Sequence, residues 1–167
     1  MTSTRPSDVA LELPERVDPI LDELTAAGYG TYAALCRKSA IATAENALTD
    51  IAEMDVVRRS GVDKQGRVVF TFFPGHLKEG CDLERVTMYA LQLMHQCVVC
   101  ERKEYTAVWV CNNLLDSRLS FWWFRRTYKM LPHAYHKQMR CLCVVHPTIQ
   151  VRVLLWLISY VVKHDIW

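Results

Sequence analysis

Arg67-Val68-Val69-Phe70-Thr71-Phe72-Phe73 is the stretch on which the fold turns. It is rich in β-branched and aromatic residues, the turn residues Asp63-Lys64-Gln65-Gly66 precede it, and Pro74-Gly75 close it, so it reads as a short strand. Downstream, the pattern alternates. A helix is expected from about Asp82 to Val98, a strand over Tyr105–Cys111, a loop over Asn112–Ser117, a helix over Leu119–Leu131 and a third strand over Arg140–His146. Pro147, suited to a first helical turn, then opens a strongly apolar helix. Short β-rich runs separated by amphipathic helices are the signature of parallel strands joined by helical crossovers. The expected class is therefore α/β, a mainly parallel sheet with flanking helices.

Upstream of the strand the reading is helical. Val17, Ile20, Leu21 and Leu24 recur at helical spacing until Gly28 and Gly30 stop the pattern. A longer helix is expected from about Thr31 to Val57, with Ala33, Ala40, Ala44, Ala47, Leu48, Ile51 and Met54 on its apolar side, ending at Arg58-Arg59-Ser60-Gly61. Residues 1–16 carry two prolines and no period, which predicts a flexible arm. The expected organisation is a flexible arm (1–16), N-terminal helices (17–60) and an α/β domain (61–167).

Composition agrees with a globular chain: 167 residues, 51% hydrophobic and 23% charged, enough to enclose a core and unlike a disordered sequence. Charge is unevenly placed. Residues 1–84 hold nine lysines and arginines against fourteen acids, and residues 85–167 hold eleven against four. The second half should attract anions, unless the two halves neutralise each other in the fold. Seven cysteines without an apparent secretion signal predict reduced thiols and a cytoplasmic protein, with contact at membranes peripheral. The longest apolar run, Val153 to Val162, is ten residues, short of the roughly 18–20 that cross a bilayer.

Three motifs invite chemistry. Cys97-Val98-Val99-Cys100 has the gap of a zinc or redox motif, but the second pair, Cys141 and Cys143, has the wrong spacing and reads as one buried strand face, so no metal and no cofactor is expected. His146 ends a strand, where ligands often bind in parallel sheets, yet no acid lies near it in sequence and no glycine elbow presents a nucleophile, which argues against an enzyme. An enzyme reading would rest on Cys143 or His146. Residues 125–140 carry Arg125, Arg126, Lys129, Lys137 and Arg140 with two histidines and no acid; the readings are a solvated face with a connecting turn, or a surface for lipid head groups, acidic protein or phosphates. No nucleic-acid recognition motif accompanies them.

The run from Gly61 onward resembles a known family. Gly61-Val62-Asp63-x-x-Gly66-Arg67, Ser120-x-x-Trp123-x-x-x-x-Tyr128, Tyr135-x-Lys137 and Val145-His146-Pro147-Thr148 are similar to the divergent CRAL-TRIO domain, also called the BCH domain, of certain Rho GTPase-activating proteins and of macrodomain-containing ganglioside-induced differentiation-associated proteins. The resemblance implies a CRAL-TRIO-like sheet flooring an apolar pocket for a lipid, closed by an apolar element corresponding to 148–162, and no catalytic residue. It also implies protein partners: Rho-type small GTPases or their regulators, or a second copy in a homodimer. On this reading Trp109, Val144, Leu154, Leu157 and Ile158 line the pocket, and Arg125, Arg126, Lys129, Lys137 and Arg140 draw the domain to anionic surfaces. The family pattern continues with a further strand beyond Asp165-Ile166-Trp167, so a C-terminally short domain with an unpaired edge, or one completed by swapping, is expected.

Overall fold

The computed structural model describes residues 18–111 and 121–147, together with residues 149, 152, 153 and 156. The expected flexible arm, the loop after Cys111, and Leu154, Leu157 and Ile158 lie outside them. Four strands form one sheet in the order β1-β2-β3-β4: β1 (Val57–Val62), β2 (Val68–Phe72), β3 (Tyr105–Val110) and β4 (Met139–Val145). The β2–β3 and β3–β4 pairings are parallel and β1–β2 is antiparallel. The α/β, mainly parallel class therefore stands, with one strand that the sequence reading missed.

That strand replaces the end of the expected long helix. The segment from residue 31 to 57 divides into α2 (Gly30–Ala44), α3 (Thr49–Glu53) and the start of β1. Asn46 and Asp55 take positive φ values of 54° and 49° at the two breaks, a conformation in which Asn and Asp are enriched. The buried side of α2 also differs from the alanine stripe. Tyr32, Ala33 and Ser39 are buried while Ala40 and Ala44 are exposed; alanine has little area to bury, and the Ser39 hydroxyl is fixed by donating to the Met88 carbonyl at 2.9 Å.

The β1–β2 hairpin is organised by Asp63. Its carboxylate accepts from the Gln65 and Arg67 backbone N–H groups at 2.9 and 3.0 Å, from Arg67 Nε at 2.7 Å and from the Thr106 hydroxyl at 2.9 Å. Gly66, at φ 78°, completes the turn, where a side chain would be strained. Burial raises the Asp63 carboxyl, but these donors outweigh it and hold the group at about 2.

Alternation and register define two sheet faces. Val68, Phe70 and Phe72 pair with Tyr105, Ala107 and Trp109, and this first face carries the cores. One core joins Phe70, Val68, Tyr105 and Ala107 to Leu21 of α1 (Pro19–Ala26), Tyr32 of α2, Leu91 and Met94 of α4 (Leu83–His95) and Tyr135 of α6 (His133–Gln138). The other joins Ile51, Val57, Leu77, Val86 and Met88. Helix α6 is a second correction, since a turn was expected there; Pro132 precedes it and Tyr135 anchors it, fully buried. Helix α5 (Phe121–Met130) leads into it, and the Tyr128 ring lies 4.1 Å from that of His136.

The opposite face carries Val69 and Thr71 of β2, Thr106, Val108 and Val110 of β3, and Cys141, Cys143 and Val145 of β4, aligned by the same registers. Neither core of described residues draws on this face.

Candidate functional site

Two regions carry chemistry: the sheet face just described with the basic segment beside β4, and a polar knot on the helical side.

On the sheet face, Val69, Val108, Val110 and Cys141 are half-buried, Cys143 is exposed and Val145 is 37% exposed. The expectation that Cys141 and Cys143 share a face is met, with their thiols 3.5 Å apart. They are not the buried pair expected: Cys141 is half-buried and Cys143 exposed on β4, the last strand of the sheet among the described residues. Hydrogen bonding with Cys141 and then burial raise the Cys143 thiol above its ordinary value. His146 follows β4, exposed, at a positive φ of 52°.

Trp109 and Val144 are brought together, paired across β3 and β4. Both stand on the first face, with Phe72, and both are half-buried. The five cations spread over three elements. Arg126 and Lys129 are exposed one turn apart on α5, Lys137 is exposed on α6, and Arg125 is half-buried. Arg140 on β4 is held by Glu104 at 2.6 Å. No helix among the described residues is long and apolar enough to cross a membrane.

The polar knot was not foreseen as a unit. Asp18 caps α1, one oxygen accepting from the Ile20 N–H at 3.0 Å and the other lying 2.7 Å from His95 Nε2. The Tyr32 hydroxyl meets His95 Nδ1 at 2.6 Å and the Tyr135 hydroxyl at 3.1 Å, and the Tyr105 hydroxyl donates to the Tyr135 carbonyl at 2.9 Å. Cys100 Sγ lies 3.5 Å from His95 Nε2 and 3.7 Å from the Asp18 carboxylate. A local irregularity makes this possible. Residues five apart point different ways on an α-helix, but Gln96–Cys100 widen into a π-helical turn, with Glu101 N–H donating to the Gln96 carbonyl at 2.9 Å, and such turns recur at functional sites. The wider turn brings Cys100 beside His95, while its motif partner Cys97 is buried in the core.

Burial desolvates Asp18, yet the bonds from His95 and Ile20 hold its carboxyl below the ordinary value. Burial first, and then the Asp18 carboxylate, push the Cys100 thiol up to about 12. Asp18 and Cys100 meet the same ring nitrogen of His95 rather than flanking the imidazole, unlike the arrangement of a nucleophilic relay. The Cys97-x-x-Cys100 spacing was the one visible trace of the knot. Neither His95 nor Asp18 offered a local signal.

The sequence profile of the divergent CRAL/TRIO domain matches residues 66–167, the stretch that begins at the β1–β2 turn and supplies β2, β3 and β4. The chain belongs to the divergent CRAL/TRIO domain family. Among curated proteins it is 27% identical over 120 residues to Rho GTPase-activating protein gacY of Dictyostelium discoideum, covering 71% of this chain and 16% of that protein. It is 30% identical over 118 residues to Rho GTPase-activating protein 8 of Mus musculus, covering 69% and 27%. With the GDAP2 homolog of Drosophila melanogaster it shares 28% over 114 residues, covering 65% and 20%. The chain thus spans between 16% and 27% of these relatives' lengths. The family and the four-stranded α/β sheet bear out the resemblance read from the sequence.

Proposed function

We propose that this divergent CRAL/TRIO domain is a non-catalytic binding module that holds an apolar, lipid-like ligand and leans on anionic membrane surfaces in a signalling context. The observation that carries this reading is the apolar sheet face opposite the two cores of described residues. Val69, Val108, Val110 and Val145 lie there in register across three strands, outside both cores. An apolar surface of this kind is stabilised by covering it with an apolar partner. Arg126, Lys129 and Lys137 are exposed nearby in the sequence of elements leading into β4, and each cation near an anionic surface contributes about 1 kcal/mol.

The test is native mass spectrometry of the purified full chain with organic extraction of what it carries, beside the Val108→Asp variant. A stoichiometric lipid mass that disappears in Val108→Asp supports the reading. A bare chain that also fails to take up fatty acid or phospholipid from vesicles defeats it. The likeness to Rho GTPase-activating proteins favours a second reading, a scaffold that contacts Rho-type GTPases without lipid. In that case the bare chain binds such a GTPase, and reversing Arg126 and Lys129 to Glu abolishes the binding.

A further inference from the structure

The polar knot is not used by either reading, and its donors have the chemistry of a metal centre. Asp18, His95 and Cys100 each offer one ligand atom, and the three atoms lie within 4.8 Å of one another. They come from separate elements: the cap of α1, the last turn of α4 and the π-helical turn.

We propose that Asp18, His95 and Cys100 form a site for a zinc-like divalent ion, with a fourth position open to solvent, that clasps α1 to the end of α4. The geometry carries it. Tetrahedral zinc with bonds of about 2.0–2.1 Å to N and O and about 2.3 Å to S has N–O edges of about 3.3 Å and edges to sulfur of about 3.6 Å. The two edges to sulfur measure 3.5 and 3.7 Å here. The third, from Asp18 to His95, is closed to 2.7 Å by their hydrogen bond and opens by about 0.6 Å to admit the ion, a rotamer-scale adjustment. Carboxylate, imidazole and thiolate together suit zinc rather than magnesium or calcium, whose ligands are oxygens.

The surroundings complete the set. A metal-bound imidazole needs a partner on its other nitrogen, and Tyr32 stands 2.6 Å from His95 Nδ1. With the ion on Nε2, Nδ1–H donates to the Tyr32 oxygen, and Tyr32 donates onward to Tyr135. The His95 and Asp18 side chains remain 15% and 28% exposed, leaving an entry path and room for a water ligand. Binding forms one bond each to the Asp18 oxygen, His95 Nε2 and Cys100 Sγ; the Nε2 proton that bridged His95 to Asp18 is given up as the ring takes a proton at Nδ1, and the Cys100 thiol proton is released to solvent.

Cobalt(II) tests the site, since thiolate ligation gives it a charge-transfer absorption. The full chain carrying Cys141→Ser and Cys143→Ser, which removes the thiol pair of β4, is stripped with chelator and titrated with cobalt chloride, then with zinc chloride in competition. One equivalent of cobalt with the charge-transfer band is expected, displaced by zinc, with the band lost in Cys100→Ser and affinity lowered about 10–100-fold in Tyr32→Phe. Absence of the band, or its survival in Cys100→Ser, overturns the proposal. A second measurement needs no variant: zinc should slow alkylation of Cys100, mapped by peptide mass spectrometry, at least tenfold while leaving Cys143 to react. Equal labelling of Cys100 with and without zinc also overturns it.

Discussion

Replacing Tyr32 by Phe removes one oxygen from the helical core and leaves the ring, which is 0% exposed, in place. The lost hydroxyl serves His95 at 2.6 Å and Tyr135 at 3.1 Å. A buried polar group stripped of its partner costs about 1–3 kcal/mol, a figure that already contains the lost bond. His95 reaches solvent at 15% exposure, so its share falls at the low end; Tyr135, at 2%, bears most of the loss. The sum is about 2–3 kcal/mol. Adding Tyr135→Phe removes the stranded hydroxyl itself, so the double variant should be more stable than the sum of the two single losses predicts, by about 1 kcal/mol or more. Urea titrations followed by far-UV circular dichroism measure all four corners of the cycle, with unchanged slopes expected. A loss below about 0.5 kcal/mol for Tyr32→Phe, or strict additivity in the double variant, refutes the account of the knot.

Phe70, at 0% exposure and edge-on to Tyr105 at 5.8 Å, should cost about 3–5 kcal/mol as Phe70→Ala, whereas Val62→Ala at 64% exposure should stay within about 0.5 kcal/mol in the same titration. Asp63 has its carboxyl lowered to about 2 in the folded chain, so its contribution is complete above the ordinary carboxylate value and is lost as pH falls toward 2. Urea midpoints from about pH 5 to about pH 2 should fall less steeply in Asp63→Asn than in the parent, and parallel acid limbs count against the four-donor turn.

The parallel half of the fold was legible because β2, β3 and β4 announce themselves locally: β-branched and aromatic runs bounded by turn residues, with α4 carrying Leu83, Val86, Ala90 and Met94 at helical spacing. What escaped was set by tertiary partners. Val57–Val62 (VRRSGV) has one buried residue in six and becomes a strand because Phe72, Thr71 and Phe70 pair with it, which no short-range pattern records. Helix α6 hides behind Pro132 and three cationic or histidine side chains, and only the burial of Tyr135 against α2 makes it cohere. At the knot, the cysteine spacing was visible but its meaning was misplaced. The relevant partner of Cys100 is Asp18, 82 residues away, rather than Cys97, and the π-helical turn that aims the thiol has no sequence signature of its own.

The family profile and the folded core draw different borders on this chain. The stretch shared with the family profile starts at residue 66, in the middle of the turn that Asp63 ties together, so the shared stretch leaves out β1 and all of α1, α2 and α3. Those residues supply Leu21, Tyr32 and Ala33 to one core and Leu48, Ile51 and Val57 to the other. The stretch that the profile matches therefore closes its two cores only with side chains that lie before it in this chain.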